Sequence, residues 1–257
     1  MTFASRIRGE VGSECQIHST SEQMSLQARL RRFGSKPLII TRRAFTAALS
    51  LGGLAAFAGL SPWRLIGEAM AQSATAADVA KPVSLPDMAL GPKTAAVTIT
   101  EYASMTCPHC ARFAENVFPK IKTEYIDTNK VRYVFREFPL DIKAAAGSML
   151  ARCIAKDDAG KYFAVIDTLF KSQDVWTGSK TTESLKQIGK QAGLSGQEVE
   201  TCLKDQALLD KIAADQKYAN EVLKVNSTPT FFINGDMVKG ETSFEEFKKK
   251  IDPLLKG

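Results

Sequence analysis

Cys107 and Cys110 are two residues apart, at the point where an apolar, β-branched run gives way to a helical pattern. That junction constrains the fold more than any other feature of the chain. Ala96–Tyr102 reads as a strand from its β-branched and aromatic content. Cys107–Phe118 reads as a helix, Pro119 as a kink or new start, and 119–127 as its continuation. Val131–Phe138 reads as a second strand, closed by Pro139. Strand, helix, strand implies a parallel pair with a right-handed crossover. A helix N-terminus carries unpaired N–H groups and partial positive charge. A sulfur there is stabilised as thiolate, the form that attacks disulfides. Pro108 fits the first helical position, whose N–H has no partner in any case. The pair therefore reads as a redox dithiol.

The pattern then changes. From about 141 to 224 nearly everything is helical, with candidate helices 141–157, 160–172, 181–192, 196–204 and 206–224 punctuated by Gly160, Gly178 and Gly193. Thr182 with Glu183, and Ser195 with Glu198, read as N-terminal caps. Thr230–Ile233 is a strand, Asn234-Gly235 a hairpin turn and Met237–Lys239 the returning strand. Ser243–Leu255 is an amphipathic helix with Phe244, Phe247, Ile251 and Leu255 on one face. Lys248, Lys249 and Lys250 read as its solvated face, and nothing pairs them with a stacking platform for nucleic acid.

The N-terminal part reads differently. Arg42-Arg43 precedes an apolar run from Ala44 to Leu60, and Ala69-Met70-Ala71 follows with the small-residue pattern of a cleavage site. Residues 1–71 are therefore expected to be an N-terminal extension plus twin-arginine signal peptide, cleaved after Ala71. An uncleaved anchor is the alternative, and the run is short and Gly-rich for a membrane span. A start at Met24 in place of Met1 would leave Cys15 outside the protein. Residues 72–86 are small, polar and Pro-containing, and read as a linker. The 186 residues after position 71 suit one domain, or a core with a small insertion. The first 71 residues hold nine Lys/Arg and four Asp/Glu, so the rest carries 25 basic and 24 acidic residues. The basic excess belongs to the signal and gives no argument for a nucleic-acid or acidic partner. Cys107, Cys110, Cys153 and Cys202 remain, an even count that fits an oxidising compartment. The spacing favours pairing 107 with 110, which leaves a structural Cys153–Cys202 disulfide; two free buried cysteines acting as small hydrophobes are the alternative. A zinc half-site would need two more ligands, and no second CxxC or His pair exists.

Cys107-Pro108-His109-Cys110, a helical insertion, and Thr228-Pro229 just before a strand come in the order that resembles the DsbA-like thiol-disulfide oxidoreductases. The resemblance covers residues 87–257, with the insertion at about 141–225. It implies an α/β thioredoxin fold: a central mixed β-sheet flanked by helices, with an inserted helical subdomain. It implies Cys107 as exposed nucleophile and Cys110 as buried resolving thiol, the two forming the redox-active disulfide. His109 would add a donor, and when charged a cation, next to the Cys107 sulfur. Pro229 would be cis, aiming the Thr228 backbone at a substrate chain that pairs like an added strand. Glu101 matches the family's buried acid and would exchange the Cys110 proton, a solvent-facing strand residue being the other reading. Tyr102 and Phe113 read as core. The expected activity is oxidation of free thiols in exported proteins in the periplasm. The expected protein is a soluble monomer with no cofactor and no metal, re-oxidised by a DsbB-type membrane partner. One departure bears on direction: the best-known DsbA oxidases carry valine before this proline, and threonine occurs in related reductases and isomerases. Reductase or isomerase on the same fold is thus the competing reading. A non-redox binding or chaperone module with structural cysteines is the competitor of another class.

Overall fold

The computed structural model describes residues 75–256, so the twin-arginine segment, Met24 and the cleavage site at Ala71 lie outside the described residues. The centre is a sheet of strands β1 (Met88–Leu90), β2 (Val97–Ala103), β3 (Val131–Glu137), β4 (Thr230–Ile233) and β5 (Asp236–Lys239). Their spatial order is β1-β3-β2-β4-β5. β2 and β3 are parallel, with Glu101 opposite Phe135 and Ala103 opposite Glu137. The β1–β3, β2–β4 and β4–β5 pairs are antiparallel. The sheet is therefore mixed, as the resemblance implies.

Alternation in β2 and β3 splits their side chains between two faces. Val97, Ile99, Ala103, Val131, Tyr133 and Phe135 join Phe113, Phe163, Phe231, Phe247 and Ile251 in the main core. Glu101 and Glu137 fall on that same face by parity. Tyr102 faces the other way, into a smaller cluster with Phe232, Ala219, Leu223 and Val225. Both faces are covered, which is why neither strand shows a clean alternation of apolar and polar residues.

After a short first helix, α1 (Ala76–Ala80), the crossover is α2 (Pro108–Asn116), α3 (Phe118–Ile121) and a π turn at Lys122–Ile126. The break at Val117–Phe118 falls at Pro119, which cannot donate into the preceding turn. The insertion comprises α4 (Ile142–Ala155), α5 (Ala159–Lys171), α6 (Gln173–Trp176), α7 (Thr181–Gln191), α8 (Gly196–Leu203) and α9 (Gln206–Glu221), and α10 (Phe244–Leu254) closes the chain. Asp141, Asp158 and Asp205 cap α4, α5 and α9. Ser195 and Glu198 form a reciprocal capping box on α8. The expected cap at Thr182 is corrected: α7 starts at Thr181 behind Lys180, with no side-chain cap. The Thr181 hydroxyl instead donates to the Gly178 carbonyl at 2.9 Å, which ties it to the preceding turn. A disulfide joins Cys153 on α4 to Cys202 on α8, with Cα atoms 5.9 Å apart.

Within the stretch read as a linker, residues 76–80 are helical, with a Thr75–Asp78 capping box. Arg136 donates to the Val79 carbonyl and to Asp87, and Arg152 donates to the Pro86 carbonyl. Asp215 accepts the N–H groups of Ser84 and Leu85. Val79 and Leu85 are buried. The side chains that hydrogen-bond this segment to the domain come from elsewhere in the chain, so its own composition gives little sign of it. At the Asn234-Gly235 turn both residues have positive φ, and a Cβ at Gly235 would meet Ala76 at 2.6 Å. Glycine is required there twice over, for conformation and for space.

Candidate active site

Cys107 is the N-cap of α2, with extended φ −79° and ψ 119°. Its N–H donates to the Ser104 carbonyl at 3.1 Å, which closes the turn out of β2. Gln173, on α6, donates to the carbonyls of Met105 and Cys107 at 2.9 and 3.1 Å. The insertion thereby steadies the loop that carries the thiol. Across from it the Thr228–Pro229 bond is cis. The Thr228 carbonyl lies 3.3 Å from Cys107 Sγ and accepts from the thiol. Cys107 is only 5% exposed and so is not the open nucleophile expected from the sequence. The Thr228 carbonyl closes against its sulfur and leaves a small part of the residue open to solvent.

The two sulfurs are free, and their environments differ. The Cys107 thiol is lowered from 9.0 to about 5. The largest cause is a hydrogen bond from the Cys110 thiol; the Thr228 hydroxyl and the N–H groups of Cys110 and His109 add to it, against the opposing effect of burial. That Thr228 hydroxyl is buried with no hydrogen-bond partner, so it is free to donate to the sulfur once the sulfur is charged. Cys110 is fully buried. Burial first, then its bond to Cys107 and the nearby Glu101 and Cys107 charges, push its thiol well above 9.0. One helix start thus holds a ready thiolate and a reluctant one, one turn apart.

Glu101 is 3% exposed, which settles the face that alternation left open. Burial pushes its carboxyl up to about 8, moderated by a hydrogen bond that Tyr133 donates to Oε2. Oε1 is buried without a partner. Glu101 and Tyr133 line an otherwise largely aromatic cavity of ≈30 Å3, with Phe113, Phe163 and Phe170 among its walls. His109 is turned outward. Its ring is 55% exposed, Arg112 donates to its Nδ1 at 2.7 Å, and Glu241 Oε2 lies 3.1 Å from the same atom. The Arg112 guanidinium, which donates to both Nδ1 and Glu241 Oε2, anchors the ring on that side. What His109 supplies to the Cys107 sulfur is its backbone N–H. Tyr102 and Phe113 are core residues.

Four residues of this neighbourhood escaped sequence reading: Tyr133, Gln173, Arg112 and Glu241. Tyr133 reaches Glu101 because β2 and β3 pair in parallel register, with Ile99 opposite Tyr133. A βαβ reading makes such a neighbour findable once the register is known. Gln173, on α6, and Glu241, on the loop after β5, arrive from far along the chain and leave no local signal. Among the described residues no group of three or more His, Cys, Asp or Glu side chains is arranged to hold a metal.

The thioredoxin family profile matches residues 84–253. A putative protein-disulfide oxidoreductase of Rickettsia bellii is 37% identical over 177 residues, covering 65% of this chain and 68% of that protein. The namesake of Rickettsia felis is 35% identical over 170 residues and is covered over 60% of its length. The chain thus spans only about three fifths to two thirds of these relatives. The crystal structure of Wolbachia pipientis alpha-DsbA1 superposes with a TM-score of 0.65 at 34% identity, covering 71% of this chain and 96% of that one. The profile, the relatives and the dithiol at the head of α2 agree: the chain belongs to the DsbA-like thiol-disulfide oxidoreductases of the thioredoxin-fold superfamily.

Proposed function

We propose that this protein is a periplasmic dithiol oxidase that introduces disulfides into exported proteins through Cys107 and Cys110. The asymmetry of the two thiols carries the reading. A Cys107 thiolate favoured at about pH 5 stabilises the reduced protein relative to its disulfide, and a disulfide whose reduced form is stabilised is a strong oxidant. The sign follows from the lowered value. The stabilisation is complete above the ordinary 9.0, present in part at neutrality, and lost as pH falls through about 5.

In the oxidised enzyme a substrate thiolate attacks Cys107 Sγ. The Cys107–Cys110 bond breaks and its electron pair stays on Cys110, which takes a proton from Glu101. A second substrate thiolate then attacks the substrate sulfur of the mixed disulfide and releases Cys107 as thiolate. The Thr228 backbone beside cis-Pro229 would pair with the substrate chain once its carbonyl parts from Cys107 Sγ. A quinone-linked membrane protein of the DsbB type would withdraw the electrons, and the enzyme would work as a soluble monomer exported by the twin-arginine route. No helix among the described residues is long and apolar enough to cross a membrane.

Redox equilibration of residues 72–257 against glutathione, with Cys107 alkylation followed across pH, tests the reading. A strongly oxidising potential with an alkylation midpoint near pH 5 is expected. A thioredoxin-like potential would reverse the direction to reductase. Unaltered activity in Cys107→Ala/Cys110→Ala would replace redox chemistry with simple binding.

A further inference from the structure

Tyr133 carries a hydroxyl whose partner is Glu101. Its ring packs against Phe118 and Phe163, with centroids 4.8 and 6.0 Å away, a task phenylalanine performs equally well. The hydroxyl is therefore the part of the residue that packing does not account for. Burial and the adjoining carboxyl keep it protonated far above 10, so it acts as a donor at every working pH. The groups that face Glu101 are few. α2 brings Cys107 and Cys110, and β3 brings Tyr133. β4 lays Phe231 opposite it. α5 brings Asp167, the one exposed residue on the cavity lining. No cation among the described residues contributes to the carboxyl's ionisation.

We propose that Tyr133 is the positioning residue of the Glu101 proton step: its hydroxyl fixes Oε2, so that the exchanging proton is carried on the unpartnered Oε1 beside the cavity. The proposal rests on the reading of Glu101 as the proton partner of Cys110. With Oε2 occupied by a donor, a neutral carboxyl keeps its own proton on Oε1, and a carboxylate offers Oε1 as its open lone pair. When Cys110 leaves the disulfide as thiolate, Glu101 gives up that proton and becomes the carboxylate. It regains a proton from solvent through the cavity, whose ≈30 Å3 is enough for a water molecule and whose rim reaches Asp167. A neutral donor suits this better than a cation. An arginine would hold the carboxylate permanently charged, whereas a phenol lowers its protonation without abolishing it.

The test uses Tyr133→Phe, Glu101→Gln and the double variant. The rate at which the oxidised protein reacts with a synthetic dithiol peptide is followed across pH. The parent shows an inflection near pH 8. Glu101→Gln removes it. Tyr133→Phe moves it upward by about one pH unit, the worth of one hydrogen bond to a charged group. In the Glu101→Gln background the tyrosine change has no further effect on the profile. Infrared spectra of the Glu101 carbonyl stretch, shifted in Tyr133→Phe, read the bond directly and do not depend on turnover. An inflection that Glu101→Gln abolishes but Tyr133→Phe leaves in place overturns the role of Tyr133 and spares that of Glu101. A Glu101→Gln profile identical to the parent's overturns both.

Discussion

Glu101 on β2 and Glu137 on β3 lie on one face of two neighbouring strands, both within 5% of full burial, yet the sheet treats them in opposite ways. Glu137 Oε1 accepts from Arg152 Nε and from the Tyr162 hydroxyl, each at 2.5 Å, and Oε2 accepts from Arg152 again at 2.8 Å. It is a carboxylate with a cation and a full set of donors, which fastens α4 to the sheet. Glu101 has one neutral donor and an oxygen with none. The first arrangement removes a charge from chemistry; the second leaves a proton exchangeable near neutrality. The difference lies in what the flanking helix presents: an arginine from α4 to one, two thiols from α2 to the other.

The largest test of this contrast is Arg152→Met, which strands the Glu137 carboxylate. Urea unfolding should show a loss of about 3–5 kcal/mol; a loss under about 1 kcal/mol would mean that Glu137 is not structural. The neighbouring residue on the same helix gives the next effect. Cys153→Ala/Cys202→Ala opens a 49-residue separation and should cost about 2–4 kcal/mol in the same assay, leaving Cys107 alkylation unchanged. Glu101→Gln should do the reverse of Arg152→Met, slowing dithiol exchange on the order of 100-fold while sparing the fold. Because the parent carboxyl is raised from 4.5 to about 8, the parent loses stability as pH climbs through that window. The stability of the Gln variant relative to the parent should rise from about pH 4.5 and level off near pH 8 in pH-dependent melts. A flat difference would contradict a buried, titrating Glu101. Smallest is Thr228→Val, which removes one donor to the Cys107 thiolate and should raise its midpoint by about half to one pH unit, read from thiolate ultraviolet absorbance.

The sheet, the crossover, the helical block and the dithiol could all be read in the sequence, because each is written in local periodicity or in spacing. β1 and α6 were missed. They are three and four residues long, too short to show a period. The strap formed by residues 75–90 was invisible for another reason: Arg136, Arg152 and Asp215 hold it from far along the chain. His109 shows the same limit at the site. Its place inside the motif suggested a ring beside the sulfur, and the fold sets that ring outward against Arg112, which Glu241 holds in place.

The contact between Ala76 and the Asn234-Gly235 turn has a practical side. Thr230, where β4 begins, adjoins cis-Pro229, and Gly235 follows the far end of that strand. Residue 75 therefore sits at the opposite end of the sheet from Cys107. A purification handle or surface linker grafted ahead of it would keep the support away from the Cys107 end of the sheet, so immobilised protein should titrate with thiol reagents as readily as free protein.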